Sequence, residues 1–151
     1  MRTYLVVIDD SDEARVALRF AARRAAKTGG AVEILALVPR PEFVQWGGVQ
    51  AAMEEEARLR AEALVARAAG ELIEETGLSP SITVRQGEPV AVVRELLKDA
   101  PSIAALVLGA PASGGPGPLI SHFAGTEAGA MPCPVMIIPG SLSDEALDLL
   151  S

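Results

Sequence analysis

Two short stretches carry the residue types best suited to holding a ligand. Asp9, Asp10 and Ser11 follow the apolar run "TYLVVI" and set two carboxylates beside a hydroxyl. Adjacent carboxylates are hard oxygen donors of the kind that hold Mg²⁺. The second stretch, "GAPASGGPGPLISHFAGTEAG" (109–129), links a strand-like run to a helix-like one. Gly114, Gly115 and Gly117 offer backbone N–H donors with no side chain in the way, and an anion can be seated on such donors. Pro116 and Pro118 have no N–H to donate. No Lys or Arg occurs in residues 99–151. A phosphate here would therefore depend on backbone dipoles, on Thr126 and serine hydroxyls, or on a metal ion. A plain Pro/Gly surface loop has the same composition, and both readings stay open at this point.

Several established motifs are excluded. There is no Gly-Lys-Ser/Thr for a Walker A loop, and a G-x-G-x-x-G turn would follow the first strand, whereas these glycines follow the fourth. A phosphorylated receiver domain needs an aspartate after its third strand and a lysine after its fifth. The corresponding segments read Arg85-Gln86-Gly87 and Pro139-Gly140-Ser141. Ser121 and His122 are neighbours in sequence and point in different directions on a helix, so they make no nucleophile pair. His122 is expected to pack on the surface or against a loop, and Cys133, without a second cysteine, to be a small buried hydrophobe.

The elements that must position these residues alternate along the chain. Strands are expected at 3–9, 31–38, 81–85, 103–109 and 134–139, each short, apolar and rich in β-branched residues. Between them, Ser11 caps a helix with a stripe of Ala14, Ala17, Leu18, Ala21, Ala22 and Ala25, which Thr28-Gly29-Gly30 ends. A long helix covers about 51–76, with Glu54–Arg58 and Glu56–Arg60 as i,i+4 pairs on its outer face. Gly87-Glu88-Pro89 opens a third helix, and "LISHFAGTEAGA" makes a fourth. Phe43 and Trp46 lie on the loop leaving the second strand, where they cover the long helix or lid a pocket. The tail "SLSDEALDLLS" is a short docking helix or a frayed end.

This alternation is the pattern of an α/β protein with one open five-stranded parallel sheet and helices on both faces. The domain spans 1–141, followed by a tail at 142–151. Half of the residues are hydrophobic but only 3% are aromatic, so the core must be built from Ala, Val, Leu and Ile. A net charge of −7 argues against nucleic acid as a partner. No apolar run approaches the ~20 residues needed to span a bilayer. The chain reads as soluble, cytoplasmic and free of membrane partners.

Ligands of such sheets bind beyond the carboxyl ends of the strands, where the strand order reverses. That places the ends at Asp9–Ser11, Leu37-Val38 and Gly109 together as the candidate site.

The pieces then resemble the universal stress protein family. "VVIDDSDEARVALRFAARRAA" is similar to that family's opening strand, Asp-Gly-Ser turn and first helix. "IAALVLGA" is similar to the strand before its glycine motif, and "PCPVMIIPG" to its closing Pro-Cys-Pro-Val strand. The resemblance implies strand order 3-2-1-4-5, a homodimer formed through the last strand, and an adenine nucleotide, ATP or AMP with or without Mg²⁺. It assigns Asp9 to the ribose or a metal-bound phosphate, with Ser11 beside it, and Leu37 and the Val38 backbone to adenine. Gly109 would begin the phosphate loop, Gly114, Gly115 or Gly117 would fill it, and Gly125-Thr126 would take its end. Three departures from the family pattern stand out. Ala112 replaces the second glycine, and Gly125 follows Gly109 by sixteen positions instead of thirteen. Asp10 also replaces the glycine of the Asp-Gly-Ser turn and adds negative charge. The resemblance thus implies a nucleotide-binding stress protein with at most slow ATP hydrolysis. The alternative is a dimeric interaction protein of the same fold that binds no nucleotide but an unknown protein partner.

Overall fold

The computed structural model describes residues 2–38 and 47–151. Phe43 and Trp46, and with them any lid they form, lie outside the described residues. The five strands are β1 (Thr3–Ile8), β2 (Ala31–Val38), β3 (Ser81–Gln86), β4 (Ile103–Ala110) and β5 (Val135–Pro139). All neighbours pair in parallel, in the order β3-β2-β1-β4-β5.

Helices α1 (Asp12–Thr28) and α2 (Gly47–Thr76) cover one face of the sheet, and α3 (Pro89–Asp99) covers the other. Ser11 caps α1 by accepting the Ala14 N–H at 3.2 Å, and Gly29 ends it in the left-handed conformation at φ 69°. Every residue of the expected apolar stripe on α1 is buried. The five alanines in it let the helix axis lie close to the sheet. Phe20, outside that stripe, is buried as well and widens the contact.

Strand alternation sorts the core into two layers. Tyr4, Val6 and Ile8 of β1 face α1 and α2, while Leu5 and Val7 face α3. The register between β1 and β4 shifts between Thr3 and Tyr4, whose partners are Ile103 and Ala105. This irregularity puts Ile103 on the same face as Leu106 and Leu108, which simple alternation forbids. Each fully buried Leu or Val in these layers contributes about 1.5–3 kcal/mol relative to exposure.

Three local expectations are revised. Helix α2 begins at Gly47, four residues earlier than the apolar pattern indicates. Arg60 pairs with Glu56 at 4.0 Å as expected, but Arg58 turns to Glu62, and Glu54 accepts from Gln50. Residues 117–130 do not form one helix. They make the short α4 (Gly117–Ser121), a π-helical turn over His122–Thr126 and a 3₁₀ turn over Ala128–Ala130.

The tail forms α5 (Asp144–Leu150), capped by Ser143. Leu147 is buried against the α1 side of the core. Ion pairs from Arg19 to Asp144 (3.3 Å) and from Arg23 to Asp148 (2.8 Å) lie above it.

Candidate functional site

Helix α1 leaves β1 toward one face, while the segment that leaves β4 packs through Leu119, Ile120 and Phe123 on the other, so a cleft opens between the carboxyl ends of these two strands. It measures about 940 Å³. Its floor is Val7 to Asp9 of β1 and Gly109 of β4, and Leu37 of β2 closes one side. The first turns of α1 and α3 form two walls, and the Gly/Pro loop at 115–118 forms a third.

At the floor, Asp9 is held by its neighbour two positions on. Its Oδ1 accepts the backbone N–H of Ser11 at 3.0 Å and also a short hydrogen bond from the Ser11 hydroxyl. The same hydroxyl oxygen caps α1 through Ala14. Ser11 therefore acts on two sides: it starts the helix and aims the Asp9 carboxylate. Both side chains line the cleft.

Leu37 lines the cleft, half-buried, whereas Val38 points the other way into the α1–α2 layer and is 1% exposed. Gly115 and Gly117 line the cleft, alternating with Pro116 and Pro118. Gly117 needs its φ of 84°, and Gly114 its φ of 90°, but Gly114 does not reach the lining among the described residues. Gly125 and Thr126 lie in the π-helical turn, exposed and away from the cleft lining. The extra residues between Gly109 and Gly125 wind into α4 and carry the Gly-Thr pair past the mouth.

Gly109 has a packing role that its sequence position conceals. A Cβ on it would strike the backbone of Glu13 in α1, lying 2.6 Å from that carbonyl carbon and closer still to its oxygen. Gly140 faces the same turn, where a Cβ would come within 2.9 Å of the Glu13 Cβ. Both glycines let the N-terminus of α1 settle onto the ends of β4 and β5.

Residues 1–139 match the Universal stress protein family. The chain belongs to the universal stress protein family. No functionally curated protein matches it. Among solved structures, it is similar to the universal stress protein UspA of Lactobacillus plantarum, with 20% identity and a TM-score of 0.73 over 91% of this chain and 97% of that one. It is also similar to the Archaeoglobus fulgidus universal stress protein in complex with dAMP, with 20% identity and a TM-score of 0.55 over 91% and 97% of the two chains. An Arabidopsis thaliana family protein with AMP bound matches at 16% identity and a TM-score of 0.57 over 97% and 99%.

The charge of this universal stress protein's cleft comes from residues that motif reading passed over. Glu13, Glu88 and Glu95 join Asp9 in the lining, and no Lys, Arg or His lines it among the described residues. Glu88 caps α3: its Oε1 accepts from the Val90 N–H at 3.0 Å and its Oε2 from the Ala91 N–H at 2.8 Å. These two backbone N–H groups, that of Ala91 first, hold its carboxyl below the ordinary glutamate range. The signal was present in the sequence as Glu88-Pro89, an acidic cap before a proline at the first helical position.

A protein-built divalent cation site does not fit. Ser11 already occupies Asp9 Oδ1, and among the described residues no three His, Cys, Asp or Glu side chains converge. His122 is engaged outside the cleft, with Arg94 Nη2 at 2.9 Å from its Nε2, while Arg94 Nε also bonds Glu127 at 3.1 Å. This cluster ties α3 to the π-helical turn. Cys133 is half-buried, and desolvation raises its thiol pKa, as suits an inert packing residue.

Proposed function

We propose that this protein is a binding module that takes an adenine nucleotide in the cleft between β1 and β4. In this reading the Asp9 carboxylate accepts from the ribose hydroxyls, Val7 and Leu37 give adenine an apolar wall, and Gly115 and Gly117 offer N–H groups to phosphate. The observation that carries it is the cleft itself, at the strand-order reversal, with Asp9 pre-aimed by Ser11. The AMP and dAMP complexes of the Arabidopsis and Archaeoglobus family proteins support the ligand class. The protein would act in stress response as a homodimer paired through β5, the edge strand of the sheet, which exposes Ile137 on one face. Among the described residues no His, Lys or Arg lines the cleft to complete a catalytic set with Asp9 and Ser11, so binding rather than turnover is the proposed activity.

The test is calorimetric titration of AMP into protein freed of co-purified nucleotide, beside the Ala91→Trp variant. Ala91 is an exposed position on α3 that lines the cleft, so an indole there fills the site without entering the core. Saturable binding lost in that variant supports the assignment. Binding that survives it, or no binding by the parent protein, overturns it.

A further inference from the structure

The phosphate end of the cleft is built against high negative charge. A nucleotide's phosphates need N–H donors or cations, and three features remove them. Prolines at 111, 116 and 118 line the loop side and donate nothing. The first turn of α3 is a further source of free N–H groups, but Glu88 engages two of them, those of Val90 and Ala91, with its own carboxylate. Glu95, two turns on, adds a second carboxylate to the same wall, and Glu13 faces them from α1.

The nearby cations do not offset this. Arg94 bonds Glu127 and His122 and does not line the cleft. Among the described residues the four carboxylates therefore share the lining with no cation, and only Arg94 and His122, outside it, act on Glu88.

Resting on the reading of the cleft as an adenine nucleotide site, we infer that it discriminates by phosphate count. It accepts adenosine and AMP and rejects ADP and ATP, with Glu88 and Glu95 as the specificity-determining residues. Each added phosphate brings one or more charges toward these carboxylates, and the repulsion grows with the chain. It is also screened by salt, because the cleft is open to solvent.

Adenosine, AMP and ATP are titrated without divalent cation into the parent protein and into the Glu88→Gln, Glu95→Gln double variant, at low and high ionic strength. Glutamine at 88 can still cap α3 through its carbonyl oxygen, so the fold is preserved. The expected result is ATP binding about tenfold or more weaker than AMP, a gap that narrows in the double variant and at high salt. Adenosine affinity stays unchanged throughout. ATP binding as tight as AMP, or a gap indifferent to both the variant and salt, overturns the selectivity and leaves the nucleotide site standing. Failure of adenosine and AMP alike to bind removes the site reading and the selectivity together.

Discussion

The backbone of Glu13, in the first turn of α1, lies so close to Gly109 at the end of β4 that there is no room for a side chain between them. A Cβ on Gly109 would sit 2.6 Å from the Glu13 carbonyl carbon. Because the obstacle is backbone, it cannot swing aside, and the helix would have to lift from the sheet.

Gly109→Ala is therefore expected to destabilise the fold by about 1–3 kcal/mol, read as a lower denaturant midpoint at unchanged slope. Gly115→Ala, with nothing within 4 Å of its added methyl group, should leave the midpoint where it was. Equal effects of the two would show that Gly109 has no special packing role. A loss of nucleotide binding in a position-109 variant thus reports helix displacement as readily as a missing ligand contact.

The docking of α5 should depend on its one buried side chain far more than on its charges. Leu147 is 1% exposed, and Leu147→Ala should cost about 2–5 kcal/mol. In the Arg23–Asp148 pair the aspartate side chain is half exposed and Arg23 partly so, so Asp148→Ala should cost no more than about 1 kcal/mol. Thermal unfolding of the two variants separates these effects, and a larger loss from Asp148→Ala would reverse the assignment.

Glu88 gives the protein an acid-sensitive contribution of known sign. Its folded pKa is depressed because the carboxylate accepts the Ala91 and Val90 N–H groups. The contribution is complete above the unfolded-state value of about 4.3 and is lost as the pH falls through the lower folded value. The stability difference between the parent protein and Glu88→Gln, measured by denaturation from pH 7 to pH 3, should shrink toward the acid end. A difference that grew on acidification would contradict this origin.

The proposed pairing through β5 predicts that a charge on this edge strand blocks association. Ile137 is 42% exposed, so Ile137→Asp should leave the fold intact. Sedimentation should then find a dimer for the parent protein and a monomer for the variant. A parent protein that sediments as a monomer, or a variant that stays dimeric, rejects this interface.

The β/α alternation, the two-faced burial of the central strands β1, β2 and β4, the Ser11 cap and the alanine stripe of α1 were legible in the sequence by itself, whereas the edge strands β3 and β5 are largely exposed. Each is a local matter, since apolar period, capping hydroxyl and turn glycine act within a few residues. The family was legible for the same reason, because its marks are local turns and strand edges in a set order. The earlier start of α2 was not, because Gly47 and Gly48 are weak helix formers and carry no apolar period that would announce a first turn. Nor was the split of 117–130 into three kinds of turn, which follows from the full burial of Phe123 against the α3 side of the core. The site shows the same division. Sequence placed Asp9, Leu37 and the Gly/Pro loop at adjoining strand ends. It did not move Gly125 and Thr126 out of the cleft, or bring Glu13, Glu88 and Glu95 into it. Those outcomes depend on which way a strand face turns and on where two helix N-termini meet across a sheet. Such contacts join residues far apart in the chain, and only the folded arrangement sets them.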